Sequence, residues 1–207
     1  MLPDFNIYPV ITERFCRNGS AVKTLQELIK GGIKIVQLRE KELPQKSIYE
    51  MAQQFRDITA ESGVTLIIND YIDIALDIKA DGVHLGQRDF PCHIVRKIAP
   101  DLIIGVSTHN FDEALKAEQN GASYINIGPV FPTQTKTTGI NPLGIETVSD
   151  IAAKIKIPYT VMGGIKKDNI PHLIEAGAKR IAMVTELTQA EDIPAKVREL
   201  QALFSKK

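Results

Sequence analysis

The chain has no excess of charge of either sign: 25 Lys and Arg side chains stand against 25 Asp and Glu, for a formal net charge of zero. That balance removes the positive footprint of a general nucleic-acid binder, and no polybasic tract offers a hold on a membrane surface. Any anion site must therefore be local. Cysteine is scarce as well. Cys16 and Cys92 are the only two, far apart and without metal-ligand spacing, which excludes a disulfide scaffold and a zinc ribbon. Both read as small buried hydrophobes, and a reducing cytoplasmic compartment is expected. Long apolar runs are missing too: nowhere do the roughly 18 consecutive apolar residues of a membrane span occur. The opening MLPDFNIYPVITERF carries an acidic residue and only a short apolar run, unlike a signal peptide. No G-x-G-x-x-G fingerprint or Walker sequence occurs, which sets aside dinucleotide and nucleoside-triphosphate binding.

What the chain does have is alternation. Its 207 residues, 43% of them hydrophobic, suffice for a full core in one domain. From Ala21 to Lys30, Val22, Leu25, Leu28 and Ile29 form one helical stripe; Gly31 and Gly32 stop it, and IKIVQL follows as a buried strand. Ile48, Met51, Ala52, Phe55 and Ile58 form a second helical face, Gly63 ends it, and VTLIIN reads as a strand covered on both sides. The phrase returns at ADGVHLG (80–86), NGASYINIG (120–128) and AGAKRIAMV (176–184). Adding IYPVIT, LIIGVS and PYTVMGG gives eight strand candidates, each followed by a helical one, at about 26 residues per unit. The expected fold is α/β, a single-domain (β/α)8 TIM barrel over residues 1–207. An open doubly wound sheet is compatible with the same strands, because strand count alone does not prove closure.

In such a barrel the reactive groups collect where strands end, at the C-terminal face. The second strand runs into QLREKE, and the period of two along a strand aims Gln37, Arg39 and Lys41 the same way. Two cations and an amide there suit a polyanion such as pyrophosphate, although with Glu40 and Glu42 interleaved the segment also reads as a solvated mixed-charge loop. Asp70 and Asp89 leave the third and fourth strands at the same face. Each alone reads as a helix cap, but beside Arg39 and Lys41 the pair favours magnesium bound partly through water and substrate phosphate oxygens. The sixth strand runs into GPVFPTQTKTTG, where Thr133, Thr135 and Lys136 make a plausible anion cradle or an ordinary polar loop. Gly163 and Gly164, with Val184 and Thr185, occupy the place where these barrels often hold a phosphate on backbone N–H groups, or the glycines form a tight turn. His84 reads as a core imidazole. His109 could face a substrate, but Asn110 with Glu113 also forms a capping-box pattern. Ser107 lacks a triad acid and is not a hydrolase nucleophile.

Taken together, QLREK at 37–41, ND at 69–70, ADGVHLGQ-x-D at 80–89, GVSTH at 105–109, IGPVFPT-x-T-K at 127–136 and MGGI at 162–165 resemble the thiamine phosphate synthase family. The likeness runs from the first strand through the eighth. It implies a transferase that joins 4-amino-2-methyl-5-(diphosphooxymethyl)pyrimidine to a thiazole phosphate and releases pyrophosphate, through a pyrimidine carbocation. On that likeness Gln37, Arg39, Lys41 and Asn69 would hold the pyrimidine diphosphate, Asp70 and Asp89 would carry Mg2+, and Ser107 and Lys136 would complete the site. Arg39, Lys41, Ser107 and Lys136 are thus the implied catalytic groups. Thr133, Thr135, Gly164, Val184 and Thr185 would receive the thiazole phosphate. Many relatives have Arg directly after the Asn-Asp pair, where this chain has Tyr71. The implied partners are small-molecule substrates and a second copy in a homodimer, with no nucleic acid or membrane. A thiazole tautomerase on the same scaffold and a catalytically silent barrel that binds thiamine precursors are the rival readings.

Overall fold

The computed structural model describes residues 2–133, 135 and 139–205. Eight strands, β1 (Ile7–Ile11), β2 (Ile35–Leu38), β3 (Thr65–Asn69), β4 (Gly82–Leu85), β5 (Ile103–Thr108), β6 (Tyr124–Ile127), β7 (Tyr159–Val161) and β8 (Ile181–Met183), pair in sequence order. Every pairing is parallel, and β1 closes on β8 with Ile7 opposite Ile181 and Pro9 opposite Met183. That last ladder decides between the two topologies: the sheet is a closed barrel and not an open doubly wound one.

Around it run α1 (Ala21–Lys30), α2 (Gln45–Ser62), α3 (Ile72–Asp77), α4 (Cys92–Ile98), α5 (Phe111–Gln119), α6 (Gly144–Ala152), α7 (Ile170–Glu175), α8 (Thr185–Thr188) and α9 (Ile193–Ala202). The helix starts follow local chemistry. Ser20, Asn110 and Asp192 each accept a hydrogen bond from a first-turn backbone N–H of the helix that follows. Gly63, in the left-handed region at φ 65°, ends α2. Among the described residues no helix is long and apolar enough to cross a membrane.

Strand parity sorts the core into two shells. Val36, Leu38, Leu66, Ile68, Val83 and Leu85 point outward and pack under the helices, where Cys16 and Cys92 are also buried as free thiols. Their alternate neighbours fill the barrel. Phe5, Ile35, Ile67 and Ile103 belong to an apolar interior cluster with Tyr8 and Tyr124. Toward the strand ends the inward positions become polar, with Gln37, Asn69, His84 and Asn126 all buried. Gly105 makes this packing possible. A Cβ there would collide with the Tyr124 ring and crowd His84.

Candidate active site

The polar end of the barrel opens into two adjoining cavities of about 810 and 60 Å³. Arg39, Ser107, Asn126, Met162 and Ala182 line both, so the two form one recess.

The smaller side is lined by Gln37, Lys41, Asn69, Asp70 and Asp89, drawn from the exits of β2, β3 and β4. Gln37, Arg39 and Lys41 do come together there, Gln37 from β2 and the other two from the segment just after it. Gln37 is held by its Nε2, which donates to the Tyr8 hydroxyl at 2.9 Å. Asn69 is 6% exposed, and its Nδ2 has no hydrogen-bond partner among the described residues. A buried amide N–H left without a partner costs stability, so it marks a place where a ligand acceptor belongs.

Asp70 forms an ion pair with Lys41 and sits at φ 62° in the left-handed region, a backbone that non-glycine residues rarely adopt. Burial, and then the Asp89 carboxyl hydrogen-bonded to it, push its carboxyl up to about 6, against the pull of Lys41. Two acidic groups are thus held in contact with one another in a part-buried place. The N-cap position is Tyr71 before α3 and Pro91 before α4, so neither carboxylate residue stands there, and Asp89 Oδ2 accepts from the Gly86 N–H at 2.6 Å. Among the described residues no group of three or more His, Cys, Asp or Glu side chains gathers as a metal cage. Two hard carboxylates in contact fit magnesium, an ion that keeps several waters and uses phosphate oxygens for the rest of its shell. Arg39 is pulled below its ordinary value by burial, with Asp70 opposing the shift. It lies between both cavities.

The floor is tied together by a hydrogen-bond chain. Tyr8 Oη meets Tyr124 Oη at 2.9 Å, Tyr124 meets His84 Nδ1 at 3.0 Å, and His84 Nε2 meets Ser107 Oγ at 2.8 Å. His84 is therefore a buried structural imidazole that also fixes Ser107, and burial drives both tyrosine hydroxyls to higher pKa.

The larger side is lined by Thr133, Thr135, Gly164, Val184 and Thr185. Gly163 and Gly164 sit at φ 105° and 62°. Side chains there would run into Pro129, Phe131 and Pro132, so the glycines let the loops after β6 and β7 lie against each other. Phe131 N donates to Gly163 O at 3.0 Å across that contact. The tight turn and the open backbone are the same feature. His109 also reaches this cavity, while its Nδ1 lies 2.7 Å from Glu113, whose N–H bonds Asn110 at 2.9 Å. Lys136 lies outside the described residues. Tyr71 packs against the outer core.

The recess thus gathers the described residues that the sequence assigned to substrate and metal, with a paired-carboxylate, cationic end and a hydroxyl-and-glycine end. Comparison with known proteins gives the family. A model of the family described as thiamine monophosphate synthase matches residues 7–187. The chain belongs to that family. It is an enzyme, a transferase that joins a pyrimidine moiety to a thiazole moiety. The thiamine-phosphate synthase of Pelotomaculum thermopropionicum is 44% identical over 207 residues, covering 100% of this chain and 95% of the relative. That of Shouchella clausii is 42% identical over 199 residues, 96% of this chain and 95% of its own. The solved thiamine phosphate pyrophosphorylase of Pyrococcus furiosus superposes with a TM-score of 0.89 at 34% identity, over 97% of this chain and 96% of that one.

Sequence reasoning missed Tyr8, Tyr124, Asn126 and Met162. Their signal was available: Tyr8, Tyr124 and Asn126 fall on inward parity positions of their strands as polar groups inside otherwise apolar runs, and Met162 directly follows β7.

Proposed function

We propose that the recess couples 4-amino-2-methyl-5-(diphosphooxymethyl)pyrimidine to a thiazole phosphate, yielding thiamine phosphate and pyrophosphate with magnesium as cofactor. The observation that carries this reading is the contact between the Asp70 and Asp89 carboxyls beside Lys41 and Arg39 at one end of the recess, whose other end is built from Thr133, Thr135 and Gly164. Gln37, Arg39, Lys41 and Asn69 would hold the pyrimidine diphosphate, and Thr133, Thr135, Gly164, Val184 and Thr185 the thiazole phosphate. Asp70 and Asp89 would hold magnesium, which supplies positive charge against pyrophosphate oxygens when bound.

The carbon–oxygen bond of the pyrimidine methylene breaks with its electron pair passing to pyrophosphate, and the thiazole nitrogen lone pair then forms the new carbon–nitrogen bond. No proton moves, so no strong base is required. Arg39, Lys41 and Lys136 stabilise the charge that grows on the leaving group, Arg39 as a planar fork and the lysines as point charges. The ring amino group shares the positive charge of the pyrimidine cation, and Ser107, fixed by His84, sets the ring's place. Met162 and Ala182, apolar walls shared by both cavities, help keep water from that cation.

The test is an assay with purified protein, both substrates and magnesium. Pyrophosphate and thiamine phosphate should appear together and disappear on chelation. Binding without turnover would favour the silent barrel, and isomerisation of a thiazole carboxylate phosphate without a pyrimidine partner would favour the tautomerase. Lys136→Ala should slow single-turnover release of pyrophosphate, and an unchanged rate would remove Lys136 from that role.

A further inference from the structure

Asn126 stands at the seam of the recess. It is the third residue of β6, lines both cavities and is only 7% exposed. Its amide is oriented from behind. Thr160, fully buried on the neighbouring β7 and in register with Asn126, directs its hydroxyl to Asn126 Oδ1 at 2.7 Å, the alternative acceptor Ile125 O being at 3.5 Å. With the carbonyl turned to Thr160, the NH2 end is left for the recess that Asn126 lines. On the other neighbour, β5, the residue in register is Ser107. Its hydroxyl is joined to His84 Nε2 at 2.8 Å, and whichever of the two donates, an oxygen lone pair of Ser107 remains for the recess.

Adjacent strands lie about 4.8 Å apart. An N–H donor and an oxygen acceptor therefore stand side by side on the barrel floor. An aminopyrimidine presents the complementary edge, an exocyclic NH2 beside a ring nitrogen. We propose that Asn126 is a specificity-determining residue that donates from Nδ2 to a ring nitrogen of the pyrimidine substrate, with Thr160 as the positioning residue that fixes which end of the amide faces it. This rests on the pyrimidine-binding role given above to the Ser107 side of the recess. A donor on the ring nitrogen draws electron density from the ring. It therefore serves ground-state binding and gives no help to the departure of pyrophosphate.

The experiment is steady-state kinetics of the magnesium-loaded enzyme with each substrate varied in turn. Asn126→Leu, with the same branched four-atom side chain but unable to donate, should raise KM for the pyrimidine diphosphate on the order of tenfold, the scale of one neutral hydrogen bond. KM for the thiazole phosphate should stay within about twofold, and kcat should be unchanged or higher. Thr160→Val should shift the same constant in the same direction, because the amide is then free to turn over, and Thr160→Ser should restore it. A rise in KM for the thiazole phosphate instead, a fall in kcat alone, or equal effects of Thr160→Val and Thr160→Ser would overturn the inference. Should Asn126→Leu fail to fold, the Thr160 pair decides. Absence of turnover by the unaltered enzyme would overturn the functional reading and this inference with it, an outcome distinct from a wild-type reaction that the variants leave untouched.

Discussion

Asp70→Asn should make the magnesium-free protein more stable at neutral pH while abolishing its activity. The Asp70 carboxyl is pushed from 3.8 up to about 6 by burial and by Asp89, Lys41 only partly compensating. The native state therefore holds this proton more tightly than the unfolded chain does. Sign follows from linkage: stability falls as pH rises through the window from 3.8 to about 6, and the full penalty stands above it. About two pKa units at 1.36 kcal/mol each make a penalty of about 3 kcal/mol, which an asparagine does not carry. The backbone does not confuse the comparison, because asparagine tolerates the left-handed conformation at φ 62° better than other non-glycine residues. The difference is read by urea unfolding without magnesium across the acid and neutral range. The variant should lead by about 3 kcal/mol near pH 8, roughly 6–12 °C in Tm for a chain of this size, and the gap should close toward about pH 4. Magnesium should then raise the midpoint of the wild type and leave the variant unmoved. A variant no more stable than the wild type at about pH 8, or a gap independent of pH, would refute the reasoning.

Asp89→Asn should reduce magnesium-dependent turnover by well over tenfold with little loss of stability, since an amide oxygen can still accept from Gly86 N–H; thermal melts beside activity measurements separate the two effects. Gly105→Ala should destabilise the barrel by roughly 1–3 kcal/mol through overpacking against Tyr124, measured by denaturant unfolding. Gly164→Ala should raise KM for the thiazole phosphate, because the added methyl pushes the loop after β7 away from Phe131 and Pro132. Glu199, lowered to about 2 by Lys167 and Lys196, favours the fold above the ordinary carboxylate range and loses that contribution as pH falls toward 2. Glu199→Gln should flatten that part of the acid-denaturation curve, and high salt should have the same effect.

The helices from Ala21 to Lys30 and around Phe55, and the buried strands after them, were legible because apolar period and glycine stops act locally. So was the shared placement of Gln37, Arg39 and Lys41, which all line the smaller cavity although β2 itself ends at Leu38. Local signals were ambiguous for Asp70 and Asp89: each precedes a helix and alone reads as a cap, Arg39 and Lys41 beside them favour a metal pair, and the contact of the two carboxyls depends on β3 and β4 lying side by side. His84 looked like a plain core residue until its two ring nitrogens were found between Tyr124 and Ser107.

The order of strands and helices, the side of the sheet each residue takes and the kinds of chemical group at each strand end were determined by sequence alone, because they depend on neighbours a few residues apart. Closure of β1 on β8, the raised pKa of Asp70 and the orientation of the Asn126 amide against Thr160 were decided only by tertiary structure. Each depends on distance and burial between segments far apart in the chain, which no local pattern encodes.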